Sequence, residues 1–247
     1  MPFRPTADRL MPDLDPREEL ILLARSLWRE GYNDHLAGHI TINRGDGTLW
    51  CNPWLLTWDE IRPEDVIVID LEGNVVEGDW PAPLGIPLHL ELHRARPEVQ
   101  VAMHSHPLYG VVWSDLGEVP PTLDQSSALG GGGELVLVDE FEGTVNDANS
   151  AASAVAKMGS SDLALLAGHG VFVLGSTVRA VHQRAVALEQ RCQRAWHVRV
   201  AENEPTRSPL PDSFRNFMGQ TDGNGFHGFW EAAVRKELRE DPTLLSA

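Results

Sequence analysis

Val99-Gln100-Val101-Ala102-Met103-His104-Ser105-His106-Pro107 decides how this chain is read. An apolar run ending in two histidines two residues apart suits a β-strand, which carries residues i and i+2 on one face, roughly 6–7 Å apart. Two imidazoles at that separation can close on one cation. A third histidine, His169, follows the apolar run Leu163-Ala164-Leu165-Leu166-Ala167. Three nitrogen ligands leave a coordination position open, as in metal sites that do chemistry, whereas four-ligand sites mostly hold structure together. A His-x-His pair equally suits two buried, hydrogen-bonded histidines, so the motif alone leaves both uses open.

Outward from this strand, Pro87 to Arg96 reads as a helix with a proline entry and Pro97 just past its end, and Tyr109 to Trp113 begins another. Gly38 to Ile42, Thr48 to Cys51, Val66 to Asp70 and Val75-Val76 read as strands separated by the turn clusters 43–47 and 72–74. Near the start, Asp15 is an N-cap, Pro16 takes the first helical position, and Leu20, Leu23, Ala24 and Leu27 share a face up to Gly31. Downstream come a strand over Glu134 to Val138, a helix over Asn146 to Lys157 and a strand pair over Leu163 to Leu174. The longest helix spans Val178 to Val198, with His182 and His197 at its exposed or interface side, and a final helix spans Phe229 to Leu238. Gly130 to Gly133 lacks the lysine of a phosphate-binding loop and reads as a flexible loop. Hairpin turns outnumber regular crossovers, which gives an α/β fold whose central sheet is mainly antiparallel and covered by helices. Residues 1–16 form an N-terminal arm and 17–203 one domain. Residues 204–247 form an extension packed on that domain or on a neighbouring subunit, with Phe226 and His227 within it.

A net charge of −16 over 247 residues repels large polyanions, excluding nucleic acids and anionic membranes as partners and leaving a small-molecule substrate. Cys51 and Cys192 show no C-x-x-C spacing, which excludes a disulfide scaffold or thiolate zinc site and fits a reducing compartment. No stretch approaches 18 apolar residues, so a cytoplasmic location is expected.

The order of motifs is itself informative. Gly38-His39-Ile40-Thr41 is followed by Arg62-Pro63-Glu64-Asp65-Val66-Ile67-Val68-Ile69-Asp70-Leu71-Glu72-Gly73, Leu88-His89, Arg94-Ala95-Arg96-Pro97-Glu98-Val99, His104-Ser105-His106-Pro107 and Gly168-His169-Gly170-Val171. This succession resembles the class II aldolase/adducin family over roughly residues 17 to 200. The resemblance implies a three-layer α/β/α domain and a homotetramer with active sites near subunit interfaces. It also implies a divalent metal, zinc first and iron, manganese or cobalt otherwise, on His104, His106 and His169.

The departures from the family pattern point to the substrate. Sugar-phosphate aldolases of the family carry Ser-Ser-Glu just before the position of Leu88-His89; here the acidic position falls on Gly85, with Pro83 and Leu84 before it. Their Gly-Asn-x-Ser strand has His39 in place of the asparagine, and their Thr-Pro-Ser-Gly turn reads Asn52-Pro53-Trp54-Leu55. Small hydroxyls and glycines let backbone amides approach a phosphate; Trp54 and Leu55 do not. Trp50, Trp54 and Trp58 offer broad apolar faces, at the pocket or in the core.

The roles expected follow from chemistry. His39 is placed to hydrogen-bond a substrate carboxylate, Tyr109 to donate a proton, and His89 to stand beside the metal or ligate it, with His93 a surface or structural residue. Trp54 and the vacated position at Gly85 shape the pocket, and Gln125 reaches a neighbouring subunit's pocket. The first reading is a metal-dependent lyase that cleaves a C–C bond in a small unphosphorylated, aromatic hydroxy- or keto-acid through a metal-stabilised enediolate. Decarboxylation needs the missing acid less than retro-aldol cleavage does. The alternatives are a non-haem iron oxygenase on a similar substrate, a sugar-phosphate aldolase or epimerase, and a non-catalytic adducin-like scaffold.

Overall fold

Helix α1 (Pro16–Arg29) forms as its capping residues dictate. In the computed structural model, which describes residues 3–129, 134–139, 147–201, 210–219 and 228–246, the Asp15 carboxylate accepts the N–H groups of Arg17 and Glu18 at 2.8 and 2.9 Å. Glu18 in turn accepts the Asp15 N–H at 2.8 Å. Two orphan donors of the first turn are satisfied in this way, and such a cap contributes about 1 kcal/mol. Gly31, at φ +97°, follows the C-terminal end in the left-handed region that favours glycine.

The strands are β1 (His39–Asn43), β2 (Thr48–Cys51), β3 (Ile67–Asp70), β4 (Val75–Glu77), β5 (Val101–Ser105), β6 (Leu135–Val138), β7 (Leu163–Leu166) and β8 (Gly170–Gly175). Among the described residues they form one sheet in the order β4-β3-β2-β1-β5-β8-β7-β6. The sheet is mixed: β6 pairs with β7 in parallel, and the other pairings are antiparallel. The reason lies in the connection. Parallel neighbours need a crossover, and α5 (Ala148–Met158) supplies it between β6 and β7.

Alternation along the strands sends side chains to two sets of helices. Ile40, Met103, Val171, Val173 and Leu165 join one cluster with Leu20, Leu23 and Leu27 of α1, Val181, Ala185 and Leu188 of α6 (Val178–Ala201), and Trp230 and Val234 of α8 (Phe229–Glu240). The intervening Ala102, Phe172, Leu174, Ala164 and Leu166 pack against Leu88 and Leu92 of α2 (Pro87–Ala95) and against Ala151, Ala154, Val155 and Met158 of α5. Met11 and Leu14 of the N-terminal arm pack on the first cluster, and Arg235 donates to the Leu10 carbonyl at 2.6 Å. Two helices lie outside the sequence expectations, α4 (Gln125–Ala128) and α7 (Asp212–Gly219). The expected loop at Gly130 to Gly133 and the residues Phe226 and His227 lie outside the described residues.

Helix α3 (Leu108–Leu116) directly follows His106-Pro107, and its N-terminus is tied to α6. Glu189 accepts the N–H groups of Tyr109 and Gly110, each at 2.9 Å. Burial raises the Glu189 carboxyl to about 7, although both backbone donors pull it down. The folded chain therefore holds this proton up to near neutrality, while the unfolded chain releases it near the ordinary value of 4.5. Between those limits the folded state binds the extra proton, so this group's contribution to stability falls as pH rises. Glu189→Gln should remove that component. Chemical denaturation of both proteins at pH 5 and pH 7.5 should show wild type losing more stability than the variant, by an amount on the order of 3 kcal/mol. Parallel losses would refute the assignment.

Candidate metal centre

His104 stands in β5 opposite His39 of β1 and Phe172 of β8, so three rings share one face of the sheet. It is 1% exposed. Its Nδ1–H donates to the Val171 carbonyl at 2.9 Å, which leaves the lone pair on Nε2. His106 lies one residue beyond the strand, with Nδ1 2.8 Å from Asp34 Oδ2. The Asp34 carboxylate can only accept, so this Nδ1 carries a proton, and the neutral tautomer this selects leaves the His106 Nε2 bare as well. The two Nε2 atoms face each other at 3.1 Å. In these tautomers both lone pairs point into the same space.

His169 completes the group from the turn between β7 and β8. Gly168 takes that turn at φ +65°. A Cβ added at Gly170 would lie 2.6 Å from His106 Cδ2, so only glycine lets the strand pass this closely. The His169 ring centroid is 4.6 Å from that of His104 and 4.7 Å from that of His106. One nitrogen from each of the three rings lies within 4.8 Å of the others.

The electrostatics favour ligand forms. Burial, with smaller contributions from neighbouring histidines, pushes His104 well below its ordinary value. Burial and His106 lower His169 to about 4. Metal binding requires neutral imidazole, and these rings are neutral at pH 7 without a cation to displace their protons. Burial pushes Asp34 upward, but hydrogen bonds from His106 and His35 outweigh it, so the carboxyl sits below its ordinary value. A carboxylate behind a ligating histidine fixes its tautomer and strengthens its lone pair. The donor set therefore fits a divalent cation.

A second group of histidines backs the first. Thr41 Oγ1 lies 2.8 Å from His89 Nδ1 and 2.9 Å from His93 Nε2. His89 packs edge-on against His39 at 5.3 Å between centroids, and His39 lies 5.0 Å from His104. His39 is lowered to about 3, first by burial and then by His106 and His169. His93 is lowered to about 4 by burial. His89 is thus held behind the three-histidine group through contacts with His39 and Thr41, and His93 is buried at 4% exposure.

A cavity of about 160 Å³ opens on the three-histidine group, and His39, Trp54, Leu84 and Gly85 line it. Gly85 lies directly against the His39 ring. A Cβ at this position would fall 2.6 Å from His39 Nε2 and closer still to Cε1. The imidazole occupies the space a side chain at position 85 would need.

Other expected residues are placed elsewhere. Tyr109 is not brought to the group: it packs on the α6 side of the sheet, its hydroxyl 3.3 Å from His197 Nε2. Its strand-end neighbour His106 faces the cavity, but the turn into α3 directs Tyr109 to the opposite face. Gln125 is exposed at the start of α4 and does not line this chain's cavity. Trp58 is 2% exposed in the core, and Trp50 lies under the Arg44 guanidinium, 4.9 Å from its centroid. His182, expected at the surface or an interface, is 5% exposed because α8 covers it with Trp230. Sequence reasoning missed Asp34, Thr41 and Glu189. Asp34 sits in the plain loop Asn33-Asp34-His35, where nothing local signals its partner 72 residues away.

The model of the Class II Aldolase and Adducin N-terminal domain matches residues 18–196. The 5-methylthioribulose-1-phosphate/5-deoxyribulose-1-phosphate aldolase of Rhodospirillum rubrum is 30% identical over 193 residues, 76% of this chain and 84% of that protein. Two Streptomyces proteins are each 28% identical over 228 residues, 89% of this chain. They are the 4-hydroxy-3-prenylphenylpyruvate oxygenase/4-hydroxy-3-prenylbenzoate synthase of S. roseochromogenus subsp. oscitans, 80% covered, and the decarboxylase NovR of S. niveus, 83% covered.

Metal analysis checks the centre. Wild type purified without chelator should retain about one divalent ion per chain, and His104→Ala with His106→Ala should retain none while keeping its far-ultraviolet circular dichroism. Asp34→Asn should weaken metal retention about 10- to 100-fold. Full occupancy in the double alanine variant would remove these residues from the ligand set.

Proposed function

This chain belongs to the class II aldolase and adducin family, and from that membership we propose a metal-dependent lyase that breaks a C–C bond in a small unphosphorylated acid. The substrate in this reading is an aromatic hydroxy- or keto-acid, and decarboxylation is favoured over retro-aldol cleavage. The observation that carries it is the close approach of Gly85 to His39. Retro-aldol cleavage needs a base for the hydroxyl proton and an acid for the carbanion. Among the described residues no carboxylate or tyrosine lines the cavity, and His39 fills the space from which a side chain at position 85 would act. Loss of CO₂ removes no hydroxyl proton and so requires no base at that place, and solvent water protonates the carbon left behind.

His104, His106 and His169 would hold the cation, zinc in this reading, since neutral imidazoles suit it. The cation supplies a Lewis acid that draws electron density from the substrate's oxygen atoms as the bond breaks. His39, neutral at pH 7, donates its N–H to the substrate carboxylate and brings no positive charge of its own. Asp34 holds His106 in its ligating tautomer. Trp54 and Leu84 present apolar surface to the aromatic portion and keep water from it. Leu84 is 67% exposed at this cavity, and Leu55, which follows Trp54 in the chain, is 53% exposed at φ +79°. Such apolar exposure supports a homotetramer in which a neighbouring subunit, with its Gln125 in reach, covers the cavity.

A second reading, an iron-dependent oxygenase on a similar substrate, is favoured by the name of one Streptomyces relative. The two separate under argon. Aryl 3-keto-acids, whose keto oxygen takes up the electron pair of the breaking bond, should lose CO₂ faster with the zinc-loaded enzyme than without it and without consuming O₂, and phosphorylated ketoses should remain uncleaved. Turnover that requires iron and stops without O₂ would establish the oxygenase instead.

The spatial argument has its own check. Gly85→Ala should lower stability by about 1–3 kcal/mol, the cost of overpacking, and most of that cost should disappear in a His39→Ala background. Equal costs in both backgrounds would show that the two residues do not compete for space.

A further inference from the structure

A second cavity, of about 530 Å³, lies on the other face of the sheet, between α1, α4, α6 and α8. His182 borders it at 5% exposure, its ring 5.3 Å from that of Trp230, and neither ring nitrogen has a hydrogen-bond partner in the protein. Beside it, Gln183 donates its side-chain N–H to the Leu129 carbonyl at 2.6 Å and leaves Oε1 buried and unpaired. A buried polar atom without a partner costs about 1–3 kcal/mol, and folded proteins satisfy most such atoms. Four such atoms belong to residues lining this one cavity: both nitrogens of His182, Gln183 Oε1 and Glu237 Oε2, the last facing the Arg25 guanidinium at 3.6 Å.

The rest of the lining indicates what would pair with them. Neutral His182 offers one donor and one acceptor, and Gln183 Oε1 offers an acceptor. A hydroxyl group serves both, since it donates to one oxygen or nitrogen and accepts the imidazole N–H. Leu129, Val186, Ala187 and Ala233 supply apolar walls. At the rim Arg29 is committed to Glu237 and Glu240, and Arg194 to Asp124. Lys236 is exposed there and makes no ion pair among the described residues. The volume lies in the range of small-molecule sites.

We propose that this cavity binds a small hydroxyaryl carboxylate, with its hydroxyl at His182 and Gln183, its ring along the apolar walls and its carboxylate at Lys236. This site is separate from the metal centre and does not depend on the lyase reading.

Isothermal titration with 4-hydroxyphenylacetate and with phenylacetate tests it. On the His104→Ala/His106→Ala protein, which removes the metal centre, 4-hydroxyphenylacetate should still bind with one site per chain. Phenylacetate, lacking the hydroxyl, should bind about ten-fold more weakly. His182→Phe should weaken 4-hydroxyphenylacetate by about ten-fold or more, and its melting temperature should not fall, because an apolar ring replaces unpaired polar atoms. Ala233→Trp, which fills the cavity from α8, should abolish binding and guards against a folding defect in the first variant. Three results would overturn the proposal: no binding heat in wild type, binding lost with the metal-centre histidines but kept in both cavity variants, or a crystal soaked with 4-hydroxyphenylacetate in which the chain's own residues fill the cavity.

Discussion

The antiparallel pairing of β1 with β5 is the constraint on which the site depends. It sets His39 opposite His104, and β8 continues the row with Phe172. A one-residue slip of β1 would turn His39 to the opposite face. The register is held by the side chains on that opposite face, where Ile40 and Met103 are buried under α1 and α6. The hydrophobic core thus positions polar groups that contribute nothing to it. The three-histidine group then lies at a strand end and in an adjoining turn, where the chain can leave the sheet and rings can converge.

Much of this was legible in the sequence. His-x-His at the end of an apolar run, and a third histidine after another, placed three ligand atoms within 4.8 Å of one another. The capped start of α1 and the glycine after its end also followed from local chemistry. Two kinds of information were not legible. Long-range polar partners left no local trace: Asp34 reaches His106 across 72 residues and Glu189 reaches Tyr109 across 80. The parallel pairing of β6 and β7 was missed for a different reason. The sequence of strand, helix and strand that marks a crossover was present, but the surrounding hairpins outweighed it in the reading. Tyr109 shows the limit of proximity along the chain, since three residues beyond His106 the backbone has already turned into α3.

The histidines show how burial and function act together. His39, His89, His93 and His104 are all nearly inaccessible, and desolvation is the leading cause of their lowered pKa values. Protonating any of them in place would put a charge in a low-dielectric interior beside other imidazoles. The same environment that keeps these rings neutral keeps their lone pairs available, so the centre is ready for a cation at neutral pH. The opposite trend at Glu189, raised to about 7 by burial, means that the carboxyl joining α3 to α6 is uncharged over much of the acid range.

The contact between Gly85 and His39 makes the two positions interdependent. A side chain at 85 and an imidazole at 39 compete for one volume, so the consequence of a substitution at either position is set by what stands at the other. Altering the pocket at one of them alone meets a steric penalty that a paired exchange escapes, and the two residues are best regarded as a single epistatic unit.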